Sequence, residues 1–99
     1  MLYLIEGFDK TDSLPLRKQT RGEHLKYLEL LRTDGRLILA GPCPKIDSPE
    51  PGQSGMSGSL IVAEFDTLDQ ARSWADKDPY MLAGVFERVL VRPFIQVLP

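Results

Sequence analysis

The chain has one cysteine, one histidine and one tryptophan. A lone thiol, Cys43, closes no internal disulfide, so a reducing, cytoplasmic setting is the default. One thiol and one imidazole are also too few for a metal centre, and no cofactor motif accompanies them. No apolar run approaches the roughly 18 residues of a membrane span. The opening MLYLIEGFDK has no positive region ahead of its apolar run, so it is not a secretory signal. Basic charge is not in excess: 12 Lys and Arg face 14 Asp and Glu, interspersed, for a net charge of −2. That excludes the basic stripe a nucleic-acid surface needs. The glycines at 52, 55 and 58 follow no expected strand and open no expected helix, so they do not form a phosphate loop.

What is present suits a small folded domain. Ninety-nine residues, 42% hydrophobic and 26% charged, make a single unit spanning 1–99. A chain of this size buries roughly 60–65% of its unfolded surface, enough for a modest core.

Leu2–Asp9 alternates and is apolar on both sides at its start, which predicts a central strand. DKTDSLPL follows as turn and helix-entry chemistry, with Asp12 or Ser13 as cap and Pro15 in the first turn. The main helix runs to Gly35, its C′ residue, and puts His24, Leu28 and Leu31 on one face. Gly22 weakens it by about 1 kcal/mol relative to Ala, which predicts a break, with two helical pieces meeting at Gln19–Gly22. His24 would then sit near a helix start, where the dipole favours a neutral imidazole. Arg36–Ala40 reads as a short strand. Gly41–Gly58, with prolines at 42, 44, 49 and 51, reads as a long irregular segment that either covers a pocket or reaches a partner subunit.

Ser59–Asp66 is the next strand. Thr67 and Gln70 have capping-box spacing ahead of a helix that stops near Lys77, because Asp78 precedes Pro79. Pro79–Gly84 gives one more helical turn. Val85–Val97 forms the last strand, with Val89 and Val91 on one face and Phe86, Leu90 and Phe94 on the other. The order βαββαβ predicts a ferredoxin-like α+β fold: a four-stranded antiparallel sheet with both helices on one face. The other face is apolar as well, which predicts a homodimer packed sheet to sheet.

His24 carries the chemistry if anything does. A neutral imidazole facing the interior accepts a proton from a substrate; a satisfied half-buried histidine at the core edge is the competing reading. Asp78, three after Ala75, returns to the inner face and can approach His24, where a carboxylate on one ring nitrogen fixes the tautomer. Asp before Pro also caps turns without any catalytic part. Arg17, Lys18 and Arg21 either hold an anionic group or form a solvated basic face. Tyr80 is a donor in the cleft or a core residue.

The segments RGEHL (21–25), GRL (35–37), AGP (40–42), GS (58–59), ADKDPY (75–80) and VRPF (91–94) together resemble the YciI-like proteins, over nearly the whole chain. The resemblance implies a dimeric α+β barrel related in fold to muconolactone isomerase, with an active site at a His–Asp pair. By motif that pair is His24 and Asp78, with Arg21, Gly41, Ser59 and Tyr80 as candidate substrate-binding residues. A dehydrochlorinase acting on a chlorinated hydroxyquinol belongs to the group. The implied function is therefore a cofactor-independent lyase or isomerase acting on a small aromatic or lactone-like molecule. The alternative is a non-catalytic small-ligand-binding or regulatory dimer.

Overall fold

Leu2–Asp9 turns Tyr3, Ile5 and Gly7 inward and leaves its even residues half-buried. It is strand β1 of the computed structural model, which describes residues 1–99. After it come α1 (Leu14–Thr33), β2 (Leu37–Pro44), a 3₁₀ turn (Gly52–Ser54), β3 (Met56–Glu64), α2 (Leu68–Asp76), the single-turn α3 (Pro79–Leu82) and β4 (Phe86–Phe94). The sheet order is β2-β3-β1-β4 and every pairing is antiparallel, so β1 is central as its two-sided apolarity requires. Leu28 and Leu31 of α1 and Ala71 and Ala75 of α2 pack on Tyr3, Ile5, Ile61 and Ala63. Both helices therefore cover the same sheet face, which is the ferredoxin-like arrangement.

The termini of the elements follow their local chemistry. Gly35, at φ +73, ends α1 in the left-handed region. Its amide bonds Arg32 O and the Arg36 amide bonds Leu31 O, which together satisfy the last carbonyls in a Schellman closure. Thr67 Oγ1 accepts the Gln70 amide at 3.1 Å and starts α2. No helix is long and apolar enough to cross a membrane.

The structure departs from the sequence reading in several places, one being that β3 begins at Met56, inside the segment expected to be irregular, and ends at Glu64 rather than Asp66. α1 is unbroken through Gly22, which is exposed with open space around it, so packing of the flanking turns outweighs the local penalty. His24 is consequently mid-helix, beyond reach of the dipole field, which acts over the first turn. β2 does not stop at Ala40 but continues through Pro42 and Pro44, because it is an edge strand and an outward-facing proline removes no ladder bond. β4 ends at Phe94 rather than Val97: Phe94 pairs with Leu2, and β1 offers nothing beyond. A register shift at Phe8/Asp9 turns Phe86 to the helix side, where its ring lies over Gly7. Leu4, Leu39, Leu60, Val62, Leu90 and Phe94 remain on the opposite face, with Leu39 49% and both Leu90 and Phe94 37% exposed.

Two glycines test this packing in opposite directions. A Cβ on Gly22 meets nothing within 4 Å, whereas one on Gly58 would collide with the Gly7 carbonyl oxygen across the β1–β3 ladder. Gly22→Ala is expected to raise stability by about 0.5–1 kcal/mol. Gly58→Ala is expected to lower it by about 2 kcal/mol or more. Urea midpoints moving in opposite directions are the check.

Candidate functional site

α1 carries Arg17, His24, Leu28 and Leu31 on its buried stripe. The apolar pair anchors the helix, and this holds the polar pair against the sheet. The α2 helix closes at Lys77, and Asp78 (φ −57, ψ 130) leaves the helical region as the residue before a proline must. Its carboxylate then meets α1: Asp78 Oδ1 lies 2.7 Å from His24 Nδ1, with the two side chains 3% and 8% exposed. The same oxygen accepts the Tyr80 amide at 2.9 Å, capping α3. Both sequence readings of Asp78, turn cap and histidine partner, thus hold at once. An ionised carboxylate only accepts, so Nδ1 carries a proton, and in the neutral ring the lone pair is then on Nε2. Nε2 has no partner within the chain and is not sealed from its surroundings.

Tyr80 fixes the plane of the imidazole. The two rings stack at 3.8 Å with 8° between planes. Burial pushes the Tyr80 phenol above its ordinary value, against the nearby Arg17 and Arg21 guanidiniums, which pull it down. The phenol therefore remains a neutral donor, and its oxygen lies 3.4 Å from Arg17 O. Arg21 is exposed, one turn before His24 on α1, and its field reaches Tyr80. Tyr27, on the other side, donates to Trp74 O at 2.7 Å and stacks on the Trp74 ring. Burial, and then the Asp78 charge, push its phenol up to about 12.

Beside this pair lies a polar cluster that the sequence reading did not assemble. Arg17 is buried, not part of a solvated face. Its Nε donates to Asp9 Oδ2 at 2.7 Å and its Nη2 to Asp9 Oδ1 at 3.0 Å, Gly58 O at 2.8 Å and Ser59 Oγ at 2.7 Å. Ser13 does not cap α1 through its side chain; its hydroxyl donates to Asp9 Oδ2 at 2.6 Å. The guanidinium also lies 4.9 Å from the centre of the Tyr80 ring, linking this cluster to the His24 stack. The available signal was spacing: Arg17 is two turns before His24 on one helical face.

The candidate residues do not all converge. His24, Asp78 and Tyr80 are in contact, and Arg21 is adjacent. Ser59 is committed to Arg17. Gly41 pairs with Leu60 on the uncovered sheet face, opposite to the helices, and touches none of them. The segment after β2 does border a cavity, of about 770 Å³, but the walls are Lys45, Ile46 and residues 53–56 with the start of α1, and neither His24 nor Asp78 lines it. No three His, Cys, Asp or Glu side chains converge to offer a metal-ligand set.

The Arg17 cluster is a buried ion pair whose charges depend on each other. Arg17→Met strands the Asp9 carboxylate, 3% exposed, and is expected to cost about 3–5 kcal/mol. Adding Asp9→Asn removes the stranded charge, so the double variant should be more stable than Arg17→Met alone. Denaturation of the three proteins in urea reads this directly.

Comparison with known proteins bears on the family and the fold. Residues 1–95 match the model of the YCII-related domain. Protein YciI of Escherichia coli O6:H1 (strain CFT073) is 52% identical over 98% of this chain and 99% of its own length. An uncharacterized protein of Haemophilus influenzae is 41% identical with the same coverage. Among solved structures, 5-chloro-2-hydroxyhydroquinone dehydrochlorinase from Burkholderia phenoliruptrix AC1100, in complex with 2,5-dihydroxybenzoquinone, superposes with a TM-score of 0.84. It is 29% identical, covering 96% of this chain and 94% of that one. By sequence over nearly its full length, and by a fold shared with that dehydrochlorinase, the chain belongs to the YCII-related family.

Proposed function

We propose that the chain is a cofactor-independent enzyme of the lyase or isomerase type, moving a proton on a small hydroxylated aromatic or lactone-like molecule. The observation that carries this is the oriented imidazole: Nδ1 held by a buried carboxylate at 2.7 Å, Nε2 without a partner. His24 Nε2 takes a proton from a substrate hydroxyl or acidic C–H. The imidazolium that forms is stabilised by Asp78 across Nδ1 and kept in plane by Tyr80. In an elimination from a chlorinated hydroxyhydroquinone, the ring first tautomerises, a proton being returned to the carbon that bears chlorine; removal of a second hydroxyl proton then drives chloride out as its anion and leaves a quinone, with net loss of HCl. In an isomerisation, the proton is returned at another carbon. Such a positioned base contributes about 10²–10⁴-fold. Arg21 supplies positive charge for the anion that develops. The fold relative acts on a chlorinated hydroxyhydroquinone, which supports an elimination of this kind.

We further propose that two copies pack through the uncovered sheet faces. What supports this is the apolar character of that face, together with Ile95, Val97 and Leu98, which follow β4 at 77–84% exposure. An apolar surface of this extent on a small domain calls for a partner.

Two experiments test the reading. Solvent deuterium uptake and chloride release, followed with halogenated hydroxyhydroquinones and unsaturated lactones, should occur with the wild type. They should slow by at least about 100-fold in His24→Gln, with circular dichroism matching the wild type. Equal rates in both proteins, or tight binding with no product from either, would leave a ligand-binding module instead. Light scattering should give twice the 11.1 kDa chain mass for the wild type and a monomer for Leu90→Lys/Phe94→Lys.

A further inference from the structure

A cavity of about 770 Å³ is unused by the His24–Asp78 mechanism. It opens between the start of α1 and the segment joining β2 to β3. Its charged lining is lopsided: Lys10, Lys18 and Lys45 against Asp12 alone. None of the three lysines is engaged in an ion pair, although the chain forms five elsewhere, several of them on its exposed surface. Lys10, its ammonium beside the Gly84 turn, adds to a field set mainly by Lys18 and Lys45.

Two further features of the wall have the same sign. The first turn of α1 holds no acidic residue, and the hydroxyl of Ser13 is diverted to Asp9 instead of capping. The amides of Leu14 and Leu16 therefore have no acceptor in the protein, and they add partial positive charge at the cavity wall. The rest of the lining is mixed: Ser13, Gln53 and Ser54 offer hydrogen-bonding groups, and three side chains are apolar. Leu14 and Met56 are two of these, and Ile46 stands 48% exposed on the overhanging segment. An apolar side chain over a cationic basin suits a molecule with an anionic head and an apolar body.

We infer that this cavity is a binding site for a small organic anion, with its carboxylate or phosphate held between Lys18 and Lys45 and its apolar body under Ile46. The site stands apart from the His24–Asp78 reading, because what it predicts is binding and not turnover. Its occupant would still be felt deeper in the fold. Ser13 lines the cavity and also bonds Asp9, which holds Arg17.

The test is a titration followed by amide shifts in ¹H–¹⁵N spectra of the full chain. Benzoate, inorganic phosphate and neutral benzyl alcohol serve as probes, which separates head-group chemistry from apolar contact. The expected result is saturable movement centred on Leu14, Leu16, Lys45, Ile46 and Gly55, with smaller shifts passed through Ser13 to Asp9 and Arg17. Benzoate should bind more tightly than phosphate, and benzyl alcohol only weakly. Affinity for benzoate should fall at least tenfold in Lys18→Ala/Lys45→Ala and remain unchanged in Lys26→Ala, a lysine on the solvent side of α1 paired with Glu23. Saturation at tens of millimolar by either anion, shifts spread over all surface lysines, or equal affinity in the double variant would each overturn the site. A benzyl alcohol affinity equal to that of benzoate would overturn the anionic part of the assignment.

Discussion

One guanidinium ties the layers of this domain together. Arg17 is fixed on α1 by the helix, and four short donor contacts join it to the end of β1 and the start of β3. The Tyr80 hydroxyl reaches back to the Arg17 carbonyl from α3. Four elements thus meet at one side chain, beside the smaller hydrophobic cluster of Tyr80, Val85 and Phe86. The main hydrophobic cluster lies toward the other end of α1, around Leu28 and Leu31. A helix pinned at one end by leucines and at the other by an ion pair has little freedom to slide. His24 sits between these two anchors, and this is why its ring can be held to a single orientation.

The fold was legible because its signals were periodic. Alternation in residues 2–9, the Leu28–Leu31 stripe, the Thr67 cap and the proline after Asp78 each specify local geometry, and together they leave one topology. The errors came where tertiary context overrode a local preference. Gly22 reads as a breaker until neighbouring turns are packed, and Pro42 and Pro44 read as strand terminators until β2 is known to be an edge. Phe86 reads as facing away from the helices because a register shift at Phe8/Asp9 leaves no mark in the alternation of β4 itself.

The candidate site was legible in its two members that share helical spacing and turn chemistry, His24 and Asp78. Tyr80 followed from its place beside Asp78. The Arg17 cluster was not legible, because its members are spread across residues 9, 13, 17 and 59, and only β-sheet register brings them together. Ser59 and Gly41 lie on adjacent strands, yet the alternation of those strands sends one to the helix side and the other away from it. No feature of the motifs around them distinguishes the two.

The double engagement of Asp78 Oδ1 has an evolutionary corollary. That oxygen caps α3 as well as orienting the imidazole, so selection for folding by itself is enough to retain the carboxylate. A lineage that abandoned its reaction would keep the aspartate and be free to drift at the histidine. Within such a family, the identity of the residue at the position of His24 is the more telling mark of a working site.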